Sequence, residues 1–330
     1  MPRRRRFIES NALYEFSVRT REGLPFVCRI FMTLLIKSAI ARTQRDVKVL
    51  LSHFLWMGNH AHFLVVSRDA EQMTRFYGEL QKRLTDYLKR LFGLHHLQLW
   101  EGSISIIKIA DVESAVERIA YLYANPARAN LVDSITRYPG YSSYSAFTTA
   151  TDGVLHKVSE KVPWVQAPAV TAPQTDTFTD AQDRFLAGHL RAKATKEHTL
   201  RVFPNLWLRC FGITAPREVA RYRAMVLGAI EAHEQRAREA RKLSGKPLLG
   251  PAALKKQSFR RRHTPKSHER RIFIIAKDIA TRINYINWMN TISTRCRELY
   301  EQWKKLDFSG LWPPGVFKPP PPLAANFYAA

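Results

Sequence analysis

The chain is 330 residues long, and 52 Lys and Arg against 28 Asp and Glu leave a formal net charge of +24 at pH 7. With 45% hydrophobic residues it can bury a real core in one or two domains, while the excess charge points to nucleic acid or an anionic surface as partner. No apolar run reaches the about 18 residues of a membrane span, the start Met-Pro-Arg-Arg-Arg-Arg lacks the apolar core of a signal peptide, and Cys28, Cys210 and Cys296 are too scattered for a disulfide framework, which fits a reducing cytoplasm.

In chain order, the hydrophobic pattern gives a strand over about 13–19, a helix over 26–44, strands over 47–56 and 60–66, a helix over 70–92, a strand over 103–109 and a helix over 112–124. That succession contains the ferredoxin-like split βαβ arrangement, so the fold class is α+β with an antiparallel sheet. A Pro/Ala/Thr-rich stretch over about 149–180 reads as a linker or long loop. Beyond it the chain reads as mainly helical and basic. Thr214, Pro216 and Glu218 mark a helix start, with Val219, Tyr222, Val226, Ile230 and His233 at helical spacing. Residues 267–304 read as a further helix with Ile275, Ile279, Ile283 and Ile286 as its apolar stripe, and 319–322 as extended polyproline. The expected domains are thus 1–148, a connector over 149–180 and a helical extension over 181–330.

Two segments carry chemistry. In Trp56-Met57-Gly58-Asn59-His60-Ala61-His62-Phe63-Leu64, Gly58-Asn59 suits a hairpin turn, and strand alternation sends His60 and His62 to one face, where two imidazoles can share a cation. The same spacing also fits an ordinary half-buried hairpin. On the helix beginning after the N-cap Asp111, Val112, Val116, Ile119 and Tyr123 form the apolar stripe. Tyr123 therefore belongs to the core. Tyr121 shares a different face with Glu117 and Asn125 and is the tyrosine placed to meet a substrate. Pro126 disfavours helical geometry at Asn125, so the helix is expected to end there.

Met57-Gly-Asn-His60-Ala-His62-Phe-Leu-Val resembles the Met-Pro-Asn-His-X-His signature of HUH-type single-strand DNA transposases. Tyr121-Leu-Tyr-Ala-Asn125-Pro-Ala-Arg128-Ala resembles the Tyr…Asn-Pro-Val-Arg-Ala segment of their REP-associated tyrosine transposase branch. The start Met1-Pro2-Arg3-Arg4, Trp100, Tyr138-Pro-Gly-Tyr-Ser142-Ser143 and Pro313-Pro314-Gly315-Val316-Phe317 are similar to further family stretches. The match covers 1–147 well and the remainder poorly. Gly58 replaces the family's usual proline, Glu15 stands where a histidine is common, and the last motif lacks its Thr.

The resemblance implies a metal-dependent endonuclease and strand transferase. Tyr121 would be the nucleophile that forms a 5′-phosphotyrosine. His60, His62 and Asn125 would hold a divalent cation, Mg²⁺ or, better suited to imidazole donors, Mn²⁺. It further implies single-stranded or hairpin DNA as substrate, a possible homodimer, and a bacterial, nucleoid-associated location. Arg3, Arg4, Arg5 and Arg6 are expected to help recognise a hairpin, with Arg128 also meeting DNA. Between 236 and 271 stand thirteen Lys or Arg against two Glu, and Arg260, Arg261 and Arg262 are this run's candidates for phosphate contact. Trp56, Tyr77 and Trp100 could stack on unpaired bases, although core positions suit them as well. Two other readings stand beside the enzyme. One is a domesticated relative that grips hairpin DNA without efficient cleavage; the other is a basic protein that binds RNA or an anionic surface through its C-terminal half.

Overall fold

In a computed structural model, the structure describes residues 7–102, 104–166, 177–259, 261, 263 and 272–319. Arg3, Arg4, Arg5, Arg6, Arg260 and Arg262, and positions 320–322 of the proline run, lie outside the described residues.

Strand β1 (Leu13–Arg19) leads through helix α1 (Ile30–Asp46) to β2 (Leu50–Trp56), β3 (His60–Val66), α2 (Ala70–Leu91), β4 (Ser105–Ile109) and α3 (Val112–Arg128). There follow α4 (Tyr144–Thr148), β5 (Val158–Pro163), α5 (Asp180–Ala192), β6 (Glu197–Val202), α6 (Leu206–Arg209), α7 (Pro216–Ser244), α8 (Pro251–Lys255), β7 (Ile274–Ile275) and α9 (Ile279–Lys304). The main sheet runs β2-β3-β1-β4-β7, antiparallel among its first four strands and parallel where β7 joins β4. The first four strands give the ferredoxin-like order. The fold is α+β, with an antiparallel N-terminal sheet and a mostly helical C-terminal region.

Alternation along the strands sorts the two faces. Phe16, Val18, Ala61, Phe63 and Val65 pack with α1 and α2. Leu13, Leu55, Leu64, Val66 and Ile109 face Ile119, Ala120 and Tyr123 of α3, and behind α3 lie Val219, Val226 and Ile230 of α7. The histidine face is therefore the one covered by α3. Residues 138–143 seal the outer edge of β2: Trp56 N donates to the Tyr141 carbonyl at 2.9 Å and Phe54 N to Ser143 Oγ at 2.7 Å, so the edge offers few free backbone groups. At the other end of the chain, Gly315 accepts from Ile8 N at 3.1 Å. A side chain there would meet the Ile8 carbonyl at 2.5 Å, which reserves this close approach for glycine.

Several sequence expectations are corrected. Helix α3 does not stop at Asn125 but runs through Pro126 to Arg128, with Asn130 at φ 54° beyond its end. Placed in the last turn, the proline forfeits one backbone bond, and its buried ring joins the core. The helix expected over 267–304 begins only at Ile279, because Ile274 and Ile275 extend the sheet. Its isoleucine stripe is not a core face: Ile279, Ile283 and Ile286 are exposed, and Met289, Cys296 and Leu299 carry the burial. Trp56 and Tyr77 are core, and half-buried Trp100 ties its Nε1 to Thr85 Oγ1 at 2.9 Å, so none of the three offers a free platform for a base. Within the stretch read as linker or loop, Val158–Pro163 form β5, which pairs with β6.

Candidate functional site

The turn Gly58-Asn59 closes the hairpin as the sequence suggests, with Met57 N donating to the His60 carbonyl at 2.8 Å. His60 and His62 then emerge together, their ring centroids 5.1 Å apart. Each ring is fixed through Nδ1. That of His62 meets Glu15 Oε1 at 2.8 Å, and that of His60 meets Asn59 Oδ1 at 2.7 Å. Carboxylate and amide oxygens only accept, so in the neutral rings Nδ1 carries the proton and Nε2 the lone pair. Burial, with the nearby His62, Arg19 and His263, holds His60 well below the usual histidine range and thus neutral. Two oriented imidazole lone pairs are what a cation site needs.

Glu15 was absent from the expected site, and it is the hub. It lies on β1 two residues from Ser17, the direct partner of His62, and so on the same face, and its side chain is only 3% exposed. Arg118 of α3 donates Nη2 to Glu15 Oε1 at 2.8 Å and brings Nε against Oε2. Burial alone would raise the Glu15 carboxyl, but His62 and Arg118 overcome it and hold the group down at about 2. Arg118 is in turn raised by Glu15 against the opposing effect of burial. A carboxylate held in its ionised form by His62 and Arg118 therefore bridges sheet and helix.

Tyr121 lies one turn beyond Arg118. Its ring is flanked by two guanidinium groups, Arg118 at 4.6 Å and Arg128 at 4.0 Å from the centroid, each a cation–π contact. The half-buried Asn125 follows one turn later on the same helix. Tyr123 points into the core instead. Its hydroxyl lies 2.9 Å from His53 Nδ1 and 2.9 Å from Ser143 Oγ, and burial raises it far above the usual phenol range. The helix-face separation of the two tyrosines is as the sequence indicates.

Contact thus passes without a gap from Tyr121 through Arg118 and Glu15 to His62 and His60. Arg128 is exposed beside Tyr121. Arg261 is exposed, and its carbonyl passes 3.4 Å from where a Cβ on Gly23 would stand, in the β1–α1 connection. The basic run thereby reaches the same end of the sheet as His60. A signal for the missed pair was available: Glu15 is a lone carboxylate on the Leu13-Ser17 face of a strand, and Arg118 precedes Tyr121 by three residues, the spacing of neighbours on one helix face. Among the described residues no three His, Cys, Asp or Glu converge as a metal-binding group, and no helix is long and apolar enough to cross a membrane.

No family model and no curated protein matches the chain. Among solved structures it is similar to one described as the structure of the REP associates tyrosine transposase bound to a REP hairpin, at 17% identity over 45% of this chain and 86% of that chain, with a TM-score of 0.38. At that identity and TM-score the likeness decides neither the fold nor the activity of this chain.

Proposed function

We propose that the chain is a divalent-cation-dependent endonuclease and strand transferase acting on single-stranded DNA, with hairpin-forming ends as substrate. The observation that carries this reading is the unbroken chain of contacts from Tyr121 through Arg118 and Glu15 to His62, because it joins both sequence motifs in one constellation. Tyr121 Oη attacks the scissile phosphorus in line; the Oη–P bond forms as the bond from phosphorus to the 3′-oxygen breaks, leaving a 5′-phosphotyrosine and a free 3′-hydroxyl. Attack by a 3′-hydroxyl reverses the exchange without another energy source. Arg128, exposed beside the ring, would bind a phosphate oxygen as DNA arrives.

His60 and His62 would hold the cation through Nε2, with the Asn125 amide as third donor, and when bound it would neutralise phosphate charge as a Lewis acid. Imidazole and amide donors favour Mn²⁺ over Mg²⁺. Residues 1–148 would form the nuclease unit, and the basic run over 236–271, Arg261 included, would hold flanking DNA. A bacterial, nucleoid-associated location and a homodimer belong to the same proposal.

The test is incubation with labelled single-stranded hairpins and Mn²⁺ or Mg²⁺, resolved on a denaturing gel beside Tyr121→Phe and His62→Ala. A metal-dependent adduct lost in both variants is expected. Tight binding with no adduct on any hairpin would instead favour the domesticated, binding-only reading.

A further inference from the structure

A cavity of about 600 Å³ opens between the start of α1, strand β5 and helix α5. It is built by elements outside the Tyr121 site. Three carboxylates line it, and each is already engaged. Asp183 accepts from the α1 backbone at Ile30 and Phe31, both at 3.0 Å; Asp180 pairs with Arg29 at 2.6 Å; Glu160 pairs with Lys37 at 2.6 Å. Four further cations line the cavity: Lys161, Arg184, Arg191 and Lys255. All four are exposed and none forms a close ion pair among the described residues, although Arg184 and Lys255 also attract Asp180. Between them Ile30 is 48% exposed and supplies the apolar surface, with Leu34 and Val162 buried behind it.

Cations free of close ion pairs around an apolar surface match one kind of ligand, a flexible chain that alternates phosphate with an apolar base and sugar. The volume lies in the range of small-ligand sites, which admits a nucleotide of a single strand but not a duplex, whose major groove alone is about 12 Å wide. The cavity also lies at a useful place. Its first residues follow the segment in which Phe26 N donates to the Gly58 carbonyl at 3.0 Å, so it begins beside the hairpin turn that carries His60. We propose that this cavity is a single-strand DNA subsite, with phosphates held by Lys161, Arg184, Arg191 and Lys255 and a base or sugar against Ile30. It deepens the proposed function by assigning the path of the strand flanking the cleaved bond.

The experiment is fluorescence anisotropy of the full chain with a labelled oligothymidylate across a salt series, comparing Lys161→Glu/Arg191→Glu with Arg217→Glu/Arg221→Glu, which makes the same change of charge on α7. The cavity variant is expected to bind at least about tenfold more weakly at 100 mM salt, with a salt slope shallower by about 1.4, the value for two lost single-strand phosphate contacts. The α7 variant is expected to change affinity less than threefold. Equal losses in the two variants, or no loss in the cavity variant, would overturn the subsite. The neutral variant Lys161→Ala/Arg191→Ala, with an unchanged thermal midpoint, separates lost contact from misfolding, and affinity no different from wild type in that variant would also overturn it. If wild type yields no covalent adduct, the catalytic reading falls, yet a selective loss in the cavity variant still upholds the subsite.

Discussion

Tyr121 and Tyr123 stand two residues apart on α3 and have opposite surroundings, one between Arg118 and Arg128, the other locked to His53 and Ser143. Tyr121→Phe is expected to abolish adduct formation while leaving hairpin affinity within about twofold. Tyr123→Phe should keep the adduct and lose about 1–2 kcal/mol of stability, since it leaves the buried His53 Nδ1 without its partner while Ser143 Oγ keeps its bonds to Phe54; denaturant titration measures this. Glu15 orients His62 through Nδ1, so Glu15→Gln should weaken Mn²⁺ binding about 10-fold or more by direct titration, as expected on disturbing the partner of a metal-ligating histidine. His53 gives the pH dependence. Burial lowers it from 6.5 to about 3, so it stays neutral in the fold while the unfolded chain takes up a proton below pH 6.5. Its stabilising effect is complete above that pH and is lost as pH falls toward 3, by up to about 1.4 kcal/mol per pH unit. Urea midpoints at pH 7 and pH 5 should differ, and His53→Gln should reduce the difference; an unchanged difference would exclude His53 as the source.

At the scale of elements, α1 shows how one distant residue secures a helix. Arg29 at its N-cap makes no side-chain cap, and the first amides instead donate to Asp183 of α5, which also faces the buried Arg29 at 3.9 Å. Asp183→Ala should cost about 1–2 kcal/mol through lost capping of Ile30 and Phe31, since Arg29 keeps Asp180 at 2.6 Å, read as a drop in calorimetric midpoint; a drop no larger than that of an exposed Asp→Ala change would contradict the assignment. No local pattern reveals such a cap, because donor and acceptor are separated by some 150 residues of sequence. What was legible were features whose signal is local. Alternation in Leu13-Tyr14-Glu15-Phe16 and in His60-Ala61-His62-Phe63 marked β1, β3 and their faces, and the Val116, Ile119, Tyr123 stripe separated the two tyrosines. Misreadings arose where tertiary context overrode local preference. Burial of its ring kept Pro126 inside α3, and pairing with β4 drew Ile274 and Ile275 into the sheet. Glu15 and Arg118 each carried a local signal, but their pairing takes its meaning only once sheet and helix are packed.

For the molecule as a whole, the net charge of +24 makes salt the governing variable for DNA affinity, which should fall steeply from 50 to 200 mM salt as counterions compete for the phosphates. Affinity insensitive to salt would contradict phosphate contact as its source. Charge alone cannot separate a nuclease from a passive binder, since both would show that slope. The measurement that separates them most directly is mass spectrometry of the protein after incubation with a hairpin and Mn²⁺ and digestion with nuclease and protease. A nucleotide linked through its 5′-phosphate to the peptide bearing Tyr121 is the expected result. Linkage to Tyr123 or another residue, or no linkage on hairpins that bind tightly, would contradict the joining of Tyr121 with His60 and His62 in one catalytic site.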